Sequence, residues 1–212
     1  MSLADLRREY AREPLNEGDV DPDPIRQFER WFEEAKRAEL VEPNAMTLAT
    51  CAPDGSPSAR IVLLKGVDAL GFVFFTDYRS RKGAELDANP RASLCFWWDS
   101  LQRQVRVAGT VARVAAEESA AYFRTRPHGS RVGAWASRQS SRLPSRAVLE
   151  AEMAQYLQRY PEGGDVPLPP HWGGYRVTPD FLEFWQGRPN RLHDRIVYER
   201  QRGAWSIGRL SP

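Results

Sequence analysis

The chain has 212 residues, with 30 Lys and Arg against 28 Asp and Glu, and 42% of its residues are hydrophobic. This composition is typical of one large globular domain or two small ones, and it excludes a wholly disordered chain. The formal net charge of +2 argues against a nucleic-acid-binding protein that depends on bulk positive charge.

Membrane and secretion signals are not found in the sequence. No apolar run approaches the roughly 20 residues that span a bilayer. The first residues lack the apolar segment of a signal peptide. Cys51 and Cys95 do not have a metal-binding spacing and the three histidines are scattered, so we expect no metal site. Together these features favour a cytoplasmic protein with reduced thiols.

The first 23 residues are polar and contain an Asp-Pro repeat, which predicts a mobile N-terminal arm over 1–23. A helix is expected next, with Asp23 as its N-cap and Pro24 at the first helical position. We find no break in composition after that point. The sequence therefore predicts a single domain over 24–212.

The rest of the chain is predicted to be mainly β with some α. Alternating apolar residues and turn signals predict strands at 45–51, 58–67, 72–77, 91–99, 102–114, 175–186, 193–200 and 204–210. Further helices are predicted at 80–88, 115–126 and 145–160. Antiparallel strands with turns every 8 to 12 residues favour a barrel flanked by helices.

Ser80, Arg81 and Lys82 begin the short helix predicted at 80–88. Cations in a first helical turn are unfavourable because the helix N-terminus is itself positive. A bound anion would reverse that effect, since backbone N–H groups and two cations would converge on it. The pattern indicates a phosphate site, although a solvated basic turn would also explain it.

Arg60 and Lys65 lie five residues apart on one predicted strand. An odd spacing points them to opposite faces unless a bulge intervenes, so two cations so placed should bind different anions. Two surface charges at the ends of a strand are the simpler alternative.

Tyr122 and Arg126 are four residues apart and share a helix face, and Ser130 follows in a predicted loop. A phenol, a guanidinium and a hydroxyl together could bind a phosphomonoester. An exposed helix face with an Arg that extends to solvent would also fit this pattern.

Arg191, His193 and Arg195 would share one face of an extended segment. Groups of like charge at this spacing repel each other unless a ligand lies among them, which favours a binding site over a structural histidine. Gln104 on a strand could bond the edge of a heterocycle, and Gln139-Ser140 could bind an anion, but an exposed strand face and a polar loop are equally ordinary explanations.

Several motifs together carry a family resemblance. They are RIVLLK (60–65), FFTDYRSRKGAEL (74–86), RQVRVAGT (103–110), YFRTRP (122–127), GAWASRQSS (133–141) and EFWQGRPNRLHDR (183–195). In this combination the chain resembles the pyridoxine/pyridoxamine 5′-phosphate oxidases, over nearly its whole length. The resemblance implies an FMN-binding split β-barrel, a homodimer, and oxidation of pyridoxine or pyridoxamine phosphate to pyridoxal phosphate. Hydride would pass to FMN, and O2 would reoxidise the flavin and give hydrogen peroxide.

The resemblance also implies residue roles. For FMN they are Arg60, Thr76, Arg81, Lys82, Gln104, Gln139, Ser140, Trp185 and Arg195. For the substrate they are Arg7 and Tyr10 in the arm, Lys65, Tyr122, Arg126 and Ser130 at the phosphate, and Arg191 and His193 over the ring, where they are the catalytic candidates. Phe75 is a departure, because some members carry Tyr there.

Three other functions stay open. The chain could be a split-barrel flavoprotein oxidase of another small substrate, which the phosphate-type residues around Lys65 and Arg126 argue against. It could be a non-catalytic binder of FMN or pyridoxal phosphate, which Arg191 and His193 argue against. A nucleic-acid or membrane partner is disfavoured by the net charge and by the lack of a basic or long apolar run.

Overall fold

The computed structural model describes residues 9–212. Their helices are α1 (Pro24–Arg37), α2 (Arg81–Ala88), α3 (Ala116–Thr125), α4 (His128–Ala136) and α5 (Arg146–Arg159). Their strands are β1 (Ala45–Cys51), β2 (Pro57–Leu63), β3 (Gly66–Asp68), β4 (Gly71–Asp77), β5 (Arg91–Trp98), β6 (Arg103–Arg113), β7 (Trp172–Gln186), β8 (Asp194–Gln201) and β9 (Ala204–Arg209). The predicted mainly β fold with flanking helices is confirmed. Within residues 9–212 no helix is long and apolar enough to cross a membrane.

One antiparallel sheet contains all nine strands, in the order β2-β1-β5-β6-β7-β4-β3, with β8 and β9 joined beyond β7. The 15-residue strand β7 forms a branch point. Its first part pairs with β4, its last part pairs with β8, and β6 runs along both parts. A register shift between Ala108 and Gly109 divides the two parts. The sheet therefore curls into a barrel that is open where β7 changes partners.

The core lies between the inner face of this sheet and α1. Asp23 caps α1, since its Oδ1 accepts from the Ile25 N–H at 2.9 Å, and Pro24 begins the helix as predicted. Phe28 is fully buried and its ring lies 4.9 Å from Phe72 and 5.0 Å from Phe96. Such aromatic contacts dominate the apolar burial that holds a small core together.

The predicted arm has no regular element in its described part, residues 9–23. Leu15 and Val20 are buried against the core. The Tyr198 hydroxyl donates to Asp21 O at 2.6 Å, and Ala11 N donates to the side chain of Gln102 at 3.1 Å. The mobility expected of the arm stays a prediction, as does the domain boundary at residue 24.

Two local predictions were wrong. Residues 58–67 do not form one strand, because the chain changes partners at Leu64 and Lys65. Leu64 N donates to Asn44 O before β1, whereas Lys65 N donates to Val73 O of β4. Residues 127–130 are not a loop, because Pro127 precedes α4 and its carbonyl accepts from the N–H groups of Ser130 and Arg131.

Candidate active site

A cavity of about 1220 Å³ opens beside β2 and β4, where α2, α3 and α4 meet the barrel. Ten of the 17 site residues predicted from the sequence line it. They are Arg60, Lys65, Thr76, Arg81, Lys82, Tyr122, Arg126, Ser130, Gln139 and Ser140. The structure thus brings together three segments that are far apart in the chain.

Lys82 is the buried cation of this cavity. It lies in the first turn of α2, after the N-cap Ser80. Its Nζ donates to Thr76 Oγ1 at 3.0 Å, Ser80 Oγ at 3.3 Å and Gln139 Oε1 at 2.9 Å. All three acceptors are neutral. Burial, reinforced by the charge of Arg60, lowers the pKa of Lys82 to about 8.

Arg60 and Arg81 differ from Lys82 because a buried carboxylate links them. Glu85 Oε1 accepts from Arg81 Nε at 2.8 Å, and its Oε2 lies 3.3 Å from Arg60 Nη2. Burial opposes ionisation of Glu85, but hydrogen bonds from Ser58, Thr50 and the two arginines outweigh it and lower its pKa to about 2. The sequence analysis missed Glu85, although its position four residues after Arg81 is a recognisable pairing signal.

The opposite end of the cavity carries Lys65, Tyr122, Arg126 and Ser130. Lys65 Nζ lies 6.0 Å from the centre of the Tyr122 ring. Arg126 Nη1 is buried and has no hydrogen-bond partner. Burial also lowers the pKa of Arg126. An orphaned buried N–H on a cation is costly, which indicates that an anion belongs at this end.

Arg60 and Lys65 do not lie on one continuous strand, because β2 ends at Leu63 and β3 begins at Gly66. Both residues line the cavity, and their opposite orientation stays a prediction. The alternation of faces holds only within a continuous strand.

The remaining predicted residues form a second group away from the cavity. Trp97, Gln104, Trp185 and Arg195 are direct cross-strand neighbours on β5, β6, β7 and β8. They therefore form one row on one face of the sheet. In the described chain neither this row nor His193 lines the cavity.

His193 lies beside this row, between aromatic rings. Its ring centroid is 4.6 Å from that of Trp185 and 5.7 Å from that of Tyr10. Its Nδ1 accepts from the backbone N–H of Arg188 at 3.1 Å. Burial, together with the charge of Arg191, lowers the pKa of His193. This lowered pKa favours the neutral ring, and because Nδ1 accepts a hydrogen bond, the proton of the neutral form lies on Nε2.

Arg191, His193 and Arg195 do not share a strand face, contrary to the sequence prediction. Arg191 ends a short 3-10 helix and has a φ of 60°, and β8 begins only at Asp194. Arg195 donates to both oxygens of the buried Glu183, at 2.8 and 3.1 Å. Nothing in the sequence pattern indicated Glu183. Arg7 lies outside the described residues.

These observations define a split β-barrel with a cavity lined by cations at both ends, suited to phosphorylated ligands. Residues 32–160 match the family model described as pyridoxamine 5′-phosphate oxidase. Residues 172–212 match the model described as the pyridoxine 5′-phosphate oxidase C-terminal dimerisation region.

Relatives of known name agree with these matches. The pyridoxine/pyridoxamine 5′-phosphate oxidase of Burkholderia multivorans is 61% identical over all of this chain and 99% of its own length. That of Rubrobacter xylanophilus is 61% identical over 99% of this chain and 96% of its own. The chain belongs to the pyridoxine/pyridoxamine 5′-phosphate oxidase family.

Solved structures confirm the predicted split-barrel fold. PhzG from Burkholderia lata, in complex with tetrahydrophenazine-1-carboxylic acid, superposes with a TM-score of 0.90 at 32% identity, over 95% of this chain and 99% of its own. A pyridoxamine 5′-phosphate oxidase-related, FMN binding protein from Nostoc punctiforme has a TM-score of 0.71 at 20% identity, over 89% of this chain and 97% of its own. At that identity the second likeness concerns the fold alone.

Proposed function

We propose that this chain is an FMN-dependent oxidase that converts pyridoxamine or pyridoxine 5′-phosphate to pyridoxal 5′-phosphate. The substrate carbon would give a hydride to FMN while its hydroxyl or amine group loses a proton, and O2 would reoxidise the flavin and yield hydrogen peroxide. With the amine substrate, water would hydrolyse the resulting imine to the aldehyde and release ammonia. The observation that carries the proposal is a cavity with two cations that lack a carboxylate partner. Lys82 is buried and donates only to neutral acceptors, and the half-buried Arg126 has a buried Nη1 without a hydrogen-bond partner. Two phosphates, one of the flavin and one of the substrate, would supply the two missing anions.

The α2 end of the cavity fits the phosphate of FMN. Lys82 and the N-terminus of α2 supply positive charge, and hydroxyl and amide groups from Thr76, Gln139 and Ser140 add hydrogen-bonding capacity. Arg60 and Arg81 complete this set, with Glu85 holding them in place. When bound, FMN supplies the hydride acceptor and the reaction with oxygen.

The other end fits the phosphate of the substrate. Lys65 and Arg126 provide charge-assisted hydrogen bonds, while Tyr122 and Ser130 provide hydroxyl groups. These residues favour a phosphorylated substrate over a neutral one, since their charge would otherwise remain uncompensated. This charge argues against an oxidase of another small substrate. The likeness to PhzG, which was solved with tetrahydrophenazine-1-carboxylic acid, is the observation that favours that alternative.

Arg191 and His193 are the proposed catalytic residues. Arg188 N–H occupies His193 Nδ1. The Nε2–H of the neutral ring, which has no hydrogen-bond partner among residues 9–212, would orient the substrate ring. Arg191 would hold the substrate ring in position for hydride transfer. Tyr10 and Arg7 of the arm would cover the substrate, and the Tyr10 ring already lies 5.7 Å from that of His193.

The separation of the two groups within one chain supports a homodimer. We infer that Gln104, Trp185, Arg191, His193 and Arg195 of one protomer complete the cavity of its partner. The match of residues 172–212 to a dimerisation region supports this arrangement. FMN, the phosphorylated substrate and O2 would then be the small-molecule partners, with no nucleic acid, membrane or metal, and the proposed location is the cytoplasm.

The absorption spectrum and turnover of the purified protein test the proposal. We expect a yellow protein with one FMN per chain that forms pyridoxal 5′-phosphate and hydrogen peroxide from pyridoxine 5′-phosphate in air. A colourless protein that also fails to bind added FMN would refute it. Turnover of tetrahydrophenazine-1-carboxylic acid without turnover of pyridoxine or pyridoxamine phosphate would favour the alternative oxidase. FMN binding without turnover of any of these compounds would favour a non-catalytic binder.

A further inference from the structure

Three aromatic rings form a parallel stack at the phosphate end of the cavity. The rings of Phe75 and Tyr122 have centroids 4.1 Å apart and planes 19° apart. Trp172 lies nearly parallel to both, at 5.6 Å and 10° from Phe75 and at 6.1 Å and 9° from Tyr122. All three line the cavity, and Trp172 is buried. Neither Phe75 nor Trp172 has a polar role assigned to it above.

Strand pairing holds this stack in place. Phe75 on β4 is the cross-strand neighbour of Gly174 on β7, two residues after Trp172. A Cβ at Gly174 would lie 2.8 Å from Phe75 Cε1, so the absence of a side chain there gives the Phe75 ring its room. The stack is therefore carried by the sheet, while Tyr122 comes to it from α3.

Arg126 packs against the same stack of rings. Its Cζ lies 4.6 Å from the centre of the Trp172 ring. Its side chain forms no ion pair with a carboxylate in the part of the chain that the structure describes, and Nη1 has no hydrogen-bond partner. A ring face attracts a guanidinium without using its N–H groups, whereas a carboxylate would both neutralise and occupy them.

We propose that Trp172 is a positioning residue for recognition of the substrate phosphate. It holds the Arg126 guanidinium by its ring face and, with Phe75, holds the Tyr122 ring, so that the N–H and O–H groups of both remain free for phosphate. This inference rests on the proposed function for the identity of the substrate. The role proposed for the aromatic stack requires only that the ligand at this end of the cavity carries a phosphate.

The test compares Trp172→Leu with Trp172→Phe in the FMN-loaded protein. We expect Trp172→Leu to raise KM for pyridoxine 5′-phosphate at least tenfold, with kcat within about twofold of wild type. Trp172→Phe should keep KM within about threefold, because it retains a ring. Val166→Ala removes buried contacts from the same small apolar cluster and leaves all three rings in place, so it is the matched control for loosened packing.

A binding measurement separates phosphate recognition from general damage. By calorimetry, Trp172→Leu should weaken binding of pyridoxal 5′-phosphate at least tenfold and leave the weaker binding of pyridoxal within twofold. Equal losses for the two ligands, or wild-type affinity for pyridoxal 5′-phosphate, would overturn the inference. Binding is measurable even if wild type turns out to oxidise another phosphorylated compound, so the failure of the proposed function is distinguishable from the failure of this one.

Phe75→Leu provides an independent variant in case Trp172→Leu does not fold. It removes the ring that lies nearest to Tyr122 and leaves the contact between Arg126 and Trp172 in place. We expect at least a threefold rise in KM for the phosphorylated substrate and rescue by Phe75→Tyr, which restores the ring. A Phe75→Leu protein with normal KM would contradict the role of the stack in orienting Tyr122.

Discussion

The cavity and the outer face of the sheet both contain cations, but the groups that neutralise these cations differ. On the outer face, Glu183 accepts from Arg195 at 2.8 Å and from Arg106 at 3.0 Å. In the cavity, Glu85 neutralises Arg60 and Arg81, but Lys82 has three neutral acceptors and Arg126 has an unbonded N–H. A cation with its own carboxylate contributes to the fold, whereas one without it leaves room for a ligand anion. Electrostatic cost is thus concentrated where a phosphate would bind.

Glu183→Gln removes the carboxylate that neutralises the arginines of the outer face, and it should have the largest effect. It leaves Arg195 and Arg106 without their shared carboxylate, and we expect a loss of roughly 3 kcal/mol of unfolding free energy. Thermal unfolding should record a fall in Tm of roughly 6–12 °C. Glu199→Gln, at an exposed position on the same strand as Arg195, is the control and should change Tm little.

Arg191 lies just before β8, the strand that carries the paired Arg195, but it forms no ion pair itself among residues 9–212. Arg191→Ala tests this unpaired cation. If Arg191 holds the ring in position for hydride transfer, kcat/KM should fall about a hundredfold, which corresponds to about 2.7 kcal/mol. His193→Ala should cost less, because the proton that the substrate hydroxyl or amine loses can pass to water instead of to the imidazole. Both variants should keep FMN. Near-normal kinetics for Arg191→Ala beside an inactive His193→Ala would show that the histidine is an essential acid or base.

Lys82→Met removes a cavity cation that has no carboxylate partner. Loss of the charge-assisted bond to the flavin phosphate should weaken FMN binding by about 1.5–3 kcal/mol, or roughly tenfold to 150-fold. The apoprotein should not become less stable, because the variant removes a buried cation that lacks a carboxylate. Fluorescence titration of the apoprotein with FMN, beside its Tm, measures both. Lys36→Met on the exposed face of α1 is the control. A large drop in apoprotein Tm without a change in FMN affinity would contradict the assignment.

The pH dependence of FMN binding is the smallest expected effect. In the apoprotein the pKa of Lys82 is about 8, and a phosphate beside the ammonium raises it. Above pH 8, FMN binding is therefore coupled to uptake of a proton by Lys82, and the affinity for FMN should fall as pH rises from 8 to 10. Below pH 8, Lys82 is already protonated and contributes no pH dependence to the affinity. Lys82→Met should remove that part of the slope. An equal slope in wild type and variant would assign the titration to another group.

Local signals in the sequence were enough for much of the fold. Asp23-Pro24 marks the start of α1, Ser80 caps α2, and alternation marks most strands. They could not show the strand break at Leu64 and Lys65, because it depends on hydrogen bonds to Asn44 and Val73, which come from different sides of the barrel. The helix α4 was missed because Pro-His-Gly is typical of a turn.

The sequence by itself determined the types of group in the candidate site and, through family resemblance, their expected roles. Only the tertiary structure decided which cations are neutralised within the chain, since Glu85 and Glu183 lie far in sequence from Arg60 and Arg106. It also separated the cavity from the row that contains Trp185 and put Trp172 beneath Arg126. Propensity and spacing act over a few residues. Burial and ion pairing depend on the distances that folding creates between remote segments.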